Sequence, residues 1–272
     1  MTDTFLNLST LNGINGFTII NGNNNDDYLG YSISNAGDIN DDGIDDIIIG
    51  AYLADPNNQN NAGSSYVVFG KKSFSSSPII DLSTLNGING FTLIGSTEGE
   101  ASGRSVSAAG DVNKDGIDDL IIGAPLIDLE GNNSGKAYIV FGKQSFSSTP
   151  TVNLSSLNGN DGFIINGLNA EDELGYTVTN AGDINKDGFD DLIIAAPNAY
   201  TVPNGQPGKA YVIFGQSSYS SNFDLNNLNG NNGFVINGLT ADDYLGFAVS
   251  SAGDVNNDGI DDIIIGAPFA NP

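Results

Sequence analysis

Asp38-Ile39-Asn40-Asp41-Asp42-Gly43-Ile44-Asp45-Asp46 runs directly into the apolar stretch Ile47-Ile48-Ile49-Gly50-Ala51. Side-chain oxygens at positions 1, 3, 5 and 9 (Asp38, Asn40, Asp42, Asp46) and the position 7 carbonyl of Ile44 can converge on one ion. Gly43 at position 6 supplies the sharp bend. The loop recurs as Asp111, Asn113, Asp115 and Asp119 with the Ile117 carbonyl, and as Asp183, Asn185, Asp187 and Asp191 with that of Phe189. A fourth copy holds Asp254, Asn256, Asp258 and Asp262 with the carbonyl of Ile260. An EF-hand loop opens in the same way but needs a bidentate acid at position 12 and a helix on each side. Position 12 here is Ile49, Ile122, Ile194 or Ile265, inside β-branched runs, so each loop joins two strands. Three carboxylates in a flexible, all-oxygen loop favour calcium over magnesium, which gives an expectation of about four Ca2+, one per repeat. The competing reading is an Asx-rich hairpin turn without an ion. Four copies with every ligand position filled weigh against it.

Composition narrows the remaining chemistry. Among 272 residues, 33 Asp and Glu stand against 8 Lys and Arg, a formal net charge of -25. Such a chain repels nucleic acid and anionic membrane surfaces. Asp38, Asp42, Asp45 and Asp46 with their counterparts account for about half of the acids, and carboxylates crowded that closely call for a cation between them. No Cys and no His are present, so thiolate, imidazole and ordinary zinc chemistry are excluded and only hard oxygen donors remain. Thr2 to Ile20 shows neither a basic start nor an unbroken apolar run, so no signal peptide is visible, and no stretch is long enough for membrane insertion.

The loop aspartates Asp38, Asp111, Asp183 and Asp254 recur every 71 to 73 residues, which divides one domain into repeats of approximately 1-80, 81-152, 153-223 and 224-272. Gly-Phe recurs at Gly16-Phe17, Gly90-Phe91, Gly162-Phe163 and Gly233-Phe234, and Tyr-x-x-Phe-Gly at Tyr66, Tyr138 and Tyr211. Short β-branched runs punctuated by Gly, Asn, Asp and Ser predict strands, in the first unit Tyr31–Ala36, Asp46–Ala51, Ser65–Phe69 and Phe91–Ile94. Only Asp81–Leu85 could cap a helical turn. Four-stranded antiparallel units of this kind bury their faces against their neighbours, and radial packing gives an all-β propeller. Three full blades and a partial fourth are expected, as part of a larger propeller or with Phe17–Ile20 added to the last blade by ring closure.

The stretch Leu29 to Ala51, Leu-Gly-Tyr-x-x-x-x-Ala-Gly-Asp-x-Asn-x-Asp-Gly-x-Asp-Asp-Ile-Ile-Ile-Gly-Ala, resembles the FG-GAP repeat of integrin α-subunit propellers and related bacterial proteins. The resemblance implies one blade per repeat, with a calcium loop between first and second strands on one propeller face. Two departures stand out. The second copy reads Ser102-Gly103-Arg104 where the others have Leu-Gly-aromatic, and integrin propellers have more blades than this chain supplies.

A second acidic cluster precedes each first strand: Asp26-Asp27, Glu98 with Glu100, Glu171-Asp172-Glu173 and Asp242-Asp243. It reads as a solvated turn, or as a ring of carboxylates presented by one face to a cationic ligand or to further calcium. Every acidic group repeats with the blade, whereas an active site is a single asymmetric constellation, so a binding role is expected rather than an enzyme. The reading is a calcium-stabilised recognition or adhesion module, extracellular or on a cell surface, with a protein or glycan ligand on a propeller face. Self-association or continuation in a longer chain is also expected. A calcium-dependent hydrolase of a glycan or phosphoester, and a purely structural repeat, are the alternatives. Asn-x-Ser triplets at Asn7, Asn132 and Asn153 would carry glycans only in a eukaryotic secretory pathway.

Overall fold

A computed structural model of the chain describes residues 7–21, 26–126, 133–199 and 205–271. Asn132, the first residue of its Asn-x-Ser triplet, lies outside them. The first repeat forms an antiparallel sheet from Ser32–Gly37, Asp46–Ala51, Ser64–Val68 and Gly90–Ile94, in that spatial order. The second uses Ser105–Gly110, Asp119–Ala124, Lys136–Val140 and Gly162–Asn166, and the third Val178–Gly182, Asp191–Ala196, Lys209–Ile213 and Gly233–Asn237. A fourth repeat contributes the hairpin Ala248–Gly253 and Asp262–Gly266. The strands thus fall where the short β-branched runs and their Gly, Asn, Asp and Ser punctuation placed them, within one residue at most ends.

The first strands of successive repeats lie side by side at the inner edges of the sheets. Side-chain hydroxyls tie them together: Ser32 Oγ accepts the Val106 N–H at 3.0 Å and Ser105 Oγ the Val178 N–H at 3.1 Å. The outer edge carries an element that the sequence pattern did not reveal. Thr151–Asn153 from the second repeat adds in parallel to Gly90–Ile94 of the first, and Asn222–Phe223 adds likewise to Gly162–Asn166. Among the described residues each of these repeats therefore clasps the one before it. A 3-10 turn follows each clasp, capped by Asp81, Asn153 or Asp224 accepting the N–H two residues on, as the Asp81–Leu85 stretch suggests.

Ring closure through Phe17–Ile20 is corrected by the same pattern. Thr18–Ile20 pairs in parallel with Ile79–Asp81, in the way that Gly90–Ile94 pairs with Thr151–Asn153, and not with Asp262–Gly266. Its physical role is that of an outer strand clasped by the next repeat.

Packing between the sheets is continuous. Ile48, Val67 and Phe69 from the first sheet interleave with Val106, Leu120 and Ile122 from the second in one buried cluster. The recurring Gly-Phe phenylalanine stacks on an aromatic ring of the following repeat: Phe91 on Phe146 at 3.8 Å, Phe163 on Tyr219 at 3.9 Å, and Phe17 on Phe74 at 4.1 Å between centroids. Such pairs contribute roughly 0.5–1.5 kcal/mol each beyond their buried area. Ile264 is 61 % exposed, while its counterparts Ile48, Ile121 and Ile193 are fully buried between sheets. Among the described residues no helix is long and apolar enough to cross a membrane.

Candidate metal loops and the link between repeats

Each acidic loop closes the hairpin between the first and second strands of its repeat, so all four loops occupy the same end of the strands. Position 1 holds the loop's own backbone. Asp38 Oδ1 accepts the Asp42 N–H at 2.9 Å and Oδ2 the Gly43 N–H at 2.7 Å, and Asp111, Asp183 and Asp254 repeat both bonds. Position 5 accepts from position 7, as in Ile44 N–H to Asp42 Oδ1 at 3.0 Å. Gly43 meets the bend at φ 84° with open space around it.

Position 9 is a buried brace. Asp46, 1 % exposed, accepts the Ile39 N–H at 3.1 Å on one oxygen and the Gly70 N–H at 2.7 Å on the other. Asp119 and Asp191 repeat this with Gly142 and Gly215. The N–H of the Tyr-x-x-Phe-Gly glycine thus ties the end of the third strand to the loop, and glycine is required there because a Cβ on Gly70 would strike the Asp45 carbonyl oxygen. Burial pushes the Asp119 carboxyl up to about 8 and those of Asp46 and Asp191 up to about 7, against the lowering effect of these backbone donors. The carboxylates at positions 1 and 5 push the same way, which places the three acids of each of these three loops within electrostatic reach.

The acids that sequence reasoning assigned to the ion are therefore gathered in one loop each. As they stand, with oxygens engaged on backbone N–H groups, three carboxylates do not converge tightly enough to hold a metal among the described residues. Carboxylate oxygens carry a second lone pair, so these bonds leave acceptor capacity. One observation bears directly on whether a cation fits. Asn40 is 8 % exposed and its buried Oδ1 has no hydrogen-bond partner, an acceptor at position 3 that lacks a donor. With hard oxygens throughout, this donor set fits calcium.

Position 8 holds a role that the sequence pattern did not reveal. Asp118 Oδ2 accepts the Asp38 N–H of the preceding repeat at 2.8 Å, Asp190 accepts that of Asp111 at 2.8 Å, and Asp261 that of Asp183 at 3.2 Å. Each of these aspartates reaches backward across the interface. Gly37, Gly110 and Gly182, all at φ between 66° and 73°, make room for it: a Cβ on any of them would strike that carboxylate. Lys114 and Lys186 reach forward from position 4 to the carbonyls of Asp187 and Asp258 in the next loop. The loops therefore form one connected row.

The second acidic cluster is corrected in part. Glu98, Glu171 and Asp242 are exposed, as a solvated turn requires, but Glu100, Asp172 and Asp243 are buried. These three accept the backbone N–H groups of Ser96, Asn169 and Thr240 and brace their turns. The Tyr138 hydroxyl also donates to Glu100 Oε2, at 3.4 Å.

Comparison with known proteins follows the same boundaries. The sequence model of the FG-GAP repeat matches residues 29–68, 102–140, 174–213 and 245–272, each running from the first strand through the loop. The chain is 28 % identical to integrin alpha-8 of Gallus gallus over 89 % of its length and 30 % identical to integrin alpha pat-2 of Caenorhabditis elegans over 89 %. It is 33 % identical to the phosphatidylinositol-glycan-specific phospholipase D of Bos taurus over 73 %. The matches cover 20 %, 18 % and 22 % of those proteins, so the chain spans about a fifth of the length of these relatives.

Proposed function

The chain belongs to the FG-GAP repeat family, and from that premise we propose that it is a calcium-stabilised recognition or adhesion module working outside the cell or on its surface. Asn40 carries the calcium part of this reading. A buried amide oxygen without a donor is costly, and a cation held there with Asp38, Asp42, Asp46 and the Ile44 carbonyl would satisfy it. The other three loops offer the same residue types at the same positions. A bound ion would offset the mutual repulsion that the position 1, 5 and 9 carboxylates exert.

Recognition rather than catalysis is supported by the fourfold repetition of every loop and by the similarity to integrin α chains. The similarity to a phospholipase D covers 22 % of that protein and gives no ground for carrying its named activity over. Calcium as an integral part of the fold is tested by melting the chain with and without excess EDTA, with metal analysis of both samples. A clear fall in Tm on chelation is expected. An unchanged curve in a sample shown to be metal-free contradicts the reading.

A further inference from the structure

Arg104 is the one arginine of the sequence, and it stands where the other repeats place Tyr31, Tyr176 and Phe247. All four residues sit just before the first strand of their repeat, at the opposite end from the acidic loops. Because the first strands lie side by side, these side chains form a row. The Arg104 Cζ is 5.2 Å from the Tyr31 ring centroid and 4.1 Å from that of Tyr176. Tyr176 meets Phe247 at 5.4 Å, and on the other side Tyr31 packs edge-on against Tyr52 at 4.6 Å, which in turn lies 5.6 Å from Tyr28.

Two properties of this strip ask for a ligand. Tyr28, Tyr31 and Phe247 are 57 %, 50 % and 44 % exposed, whereas the phenylalanines of the Gly-Phe motif at Phe91 and Phe163 are fully buried. A contiguous exposed aromatic surface marks an interaction site more often than a free one. The guanidinium is also underused. Rings occupy its neighbourhood, yet among the described residues it makes no ion pair and no hydrogen bond, so its in-plane N–H donors are free. Glu173 is close enough to interact with its charge, but among the described residues the two form no ion pair. A planar cation held by aromatic rings with its donor edge free matches the geometry of a carboxylate.

We infer that this strip binds a glycan carrying isolated carboxylates: sugar rings stack on Tyr28, Tyr31 and Phe247, and one uronate or similar carboxylate pairs with the edge of Arg104. The net charge of -25 selects within the anions. A densely charged polymer is repelled along its whole length, while a chain with one carboxylate among neutral rings meets one arginine and a platform of π faces. The inference rests on the proposed recognition role and names its ligand class.

The test is calorimetry on the calcium-loaded chain with a hyaluronan hexasaccharide, in which glucuronate alternates with a neutral sugar. A chitin hexasaccharide serves as the uncharged comparator and a short aspartate-rich peptide as the non-sugar carboxylate. Wild type is expected to bind hyaluronan more tightly than chitin and the peptide weakly or not at all. Arg104→Tyr restores the aromatic residue of the neighbouring repeats and should fold. It should weaken hyaluronan binding about tenfold, the effect of losing one charged hydrogen-bonded pair, and abolish the preference over chitin. Unchanged hyaluronan binding by Arg104→Tyr, no binding of either sugar by wild type, or tighter binding of the peptide would each overturn the inference. The calcium stoichiometry of the same sample reports separately on the proposed function.

Discussion

Asp118 Oδ2 accepts the backbone N–H of Asp38, eighty positions earlier in the chain, at 2.8 Å, and so one repeat's acidic loop holds the start of another's. Gly37 makes that contact possible: at φ 66° it lacks the Cβ that would strike the Asp118 carboxylate. Gly253 has nearly the same backbone, φ 63°, with nothing within 4 Å of a Cβ position. Gly37→Ala and Gly253→Ala therefore carry similar left-handed strain, and their difference isolates the inter-repeat contact. Urea unfolding should find Gly37→Ala less stable than Gly253→Ala by about 1–3 kcal/mol, the range for overpacking or a lost charged hydrogen bond. Equal losses would remove the link from the account.

Ile264 supplies a prediction about association. Its counterparts at Ile48, Ile121 and Ile193 are buried between sheets, whereas Ile264 is 61 % exposed and Val255, in the same repeat, 72 %. An apolar sheet face of this kind promotes pairing with another chain. Light scattering over a concentration series should show self-association of this polypeptide, and Ile264→Lys should reduce it. A concentration-independent monomer in both cases would show that the face is inert.

The aromatic stack between repeats should be measurable in the same way. Phe146 is 1 % exposed and lies 3.8 Å from Phe91 in a near-parallel pair. Phe146→Ala should cost about 3–5 kcal/mol, and Phe146→Leu less, because the cavity shrinks as the ring pairing is lost. A Phe146→Ala loss under about 1 kcal/mol would mean that the ring stack does not hold the repeats together.

The pH dependence of the metal-free chain has a definite sign. Asp119 titrates at about 8 and Asp46 and Asp191 at about 7 in the folded state, above the ordinary value of 3.8, because burial penalises their charged form. Between pH ~4 and ~8 the folded state then binds more protons than the unfolded one, so stability falls as pH rises through that window. In EDTA, Tm should be higher at pH 5.5 than at 8.5, and Asp119→Asn should flatten the difference. A Tm that rises with pH would contradict the assignment of buried carboxyls.

How much of this was legible depends on the length of the signal. The hairpins around Asp38–Asp46 and its copies announce themselves through nine-residue loops beside β-branched runs, and their strands fall where those runs put them. Thr151–Asn153 and Asn222–Phe223 are two or three residues long within Ser-rich connections, too short for any period to show. Asp45, Asp118, Asp190 and Asp261 were hidden by company: among crowded acids, nothing local separates the position 9 brace and the position 8 link from loop charge. The doubled Asp at positions 8 and 9 of every copy was the available sign. Glu100, Asp172 and Asp243 read as solvated for the same reason, since burial of an acid depends on backbone donors that only the folded turn brings to it.

Calcium in the loops is the central claim, and its most direct test is the number of ions bound per chain. Asp258 occupies position 5 of the fourth loop, accepts the Ile260 N–H at 2.9 Å and is exposed, so Asp258→Ala removes a ligand without opening the core. At a hundredfold excess over Kd each filled site would add about 2.7 kcal/mol of stability. Equilibrium dialysis with metal analysis should give about four calcium ions for the wild-type chain and about three for Asp258→Ala, one per intact loop. A wild-type chain that binds none, or a variant that keeps the full complement, would contradict the account.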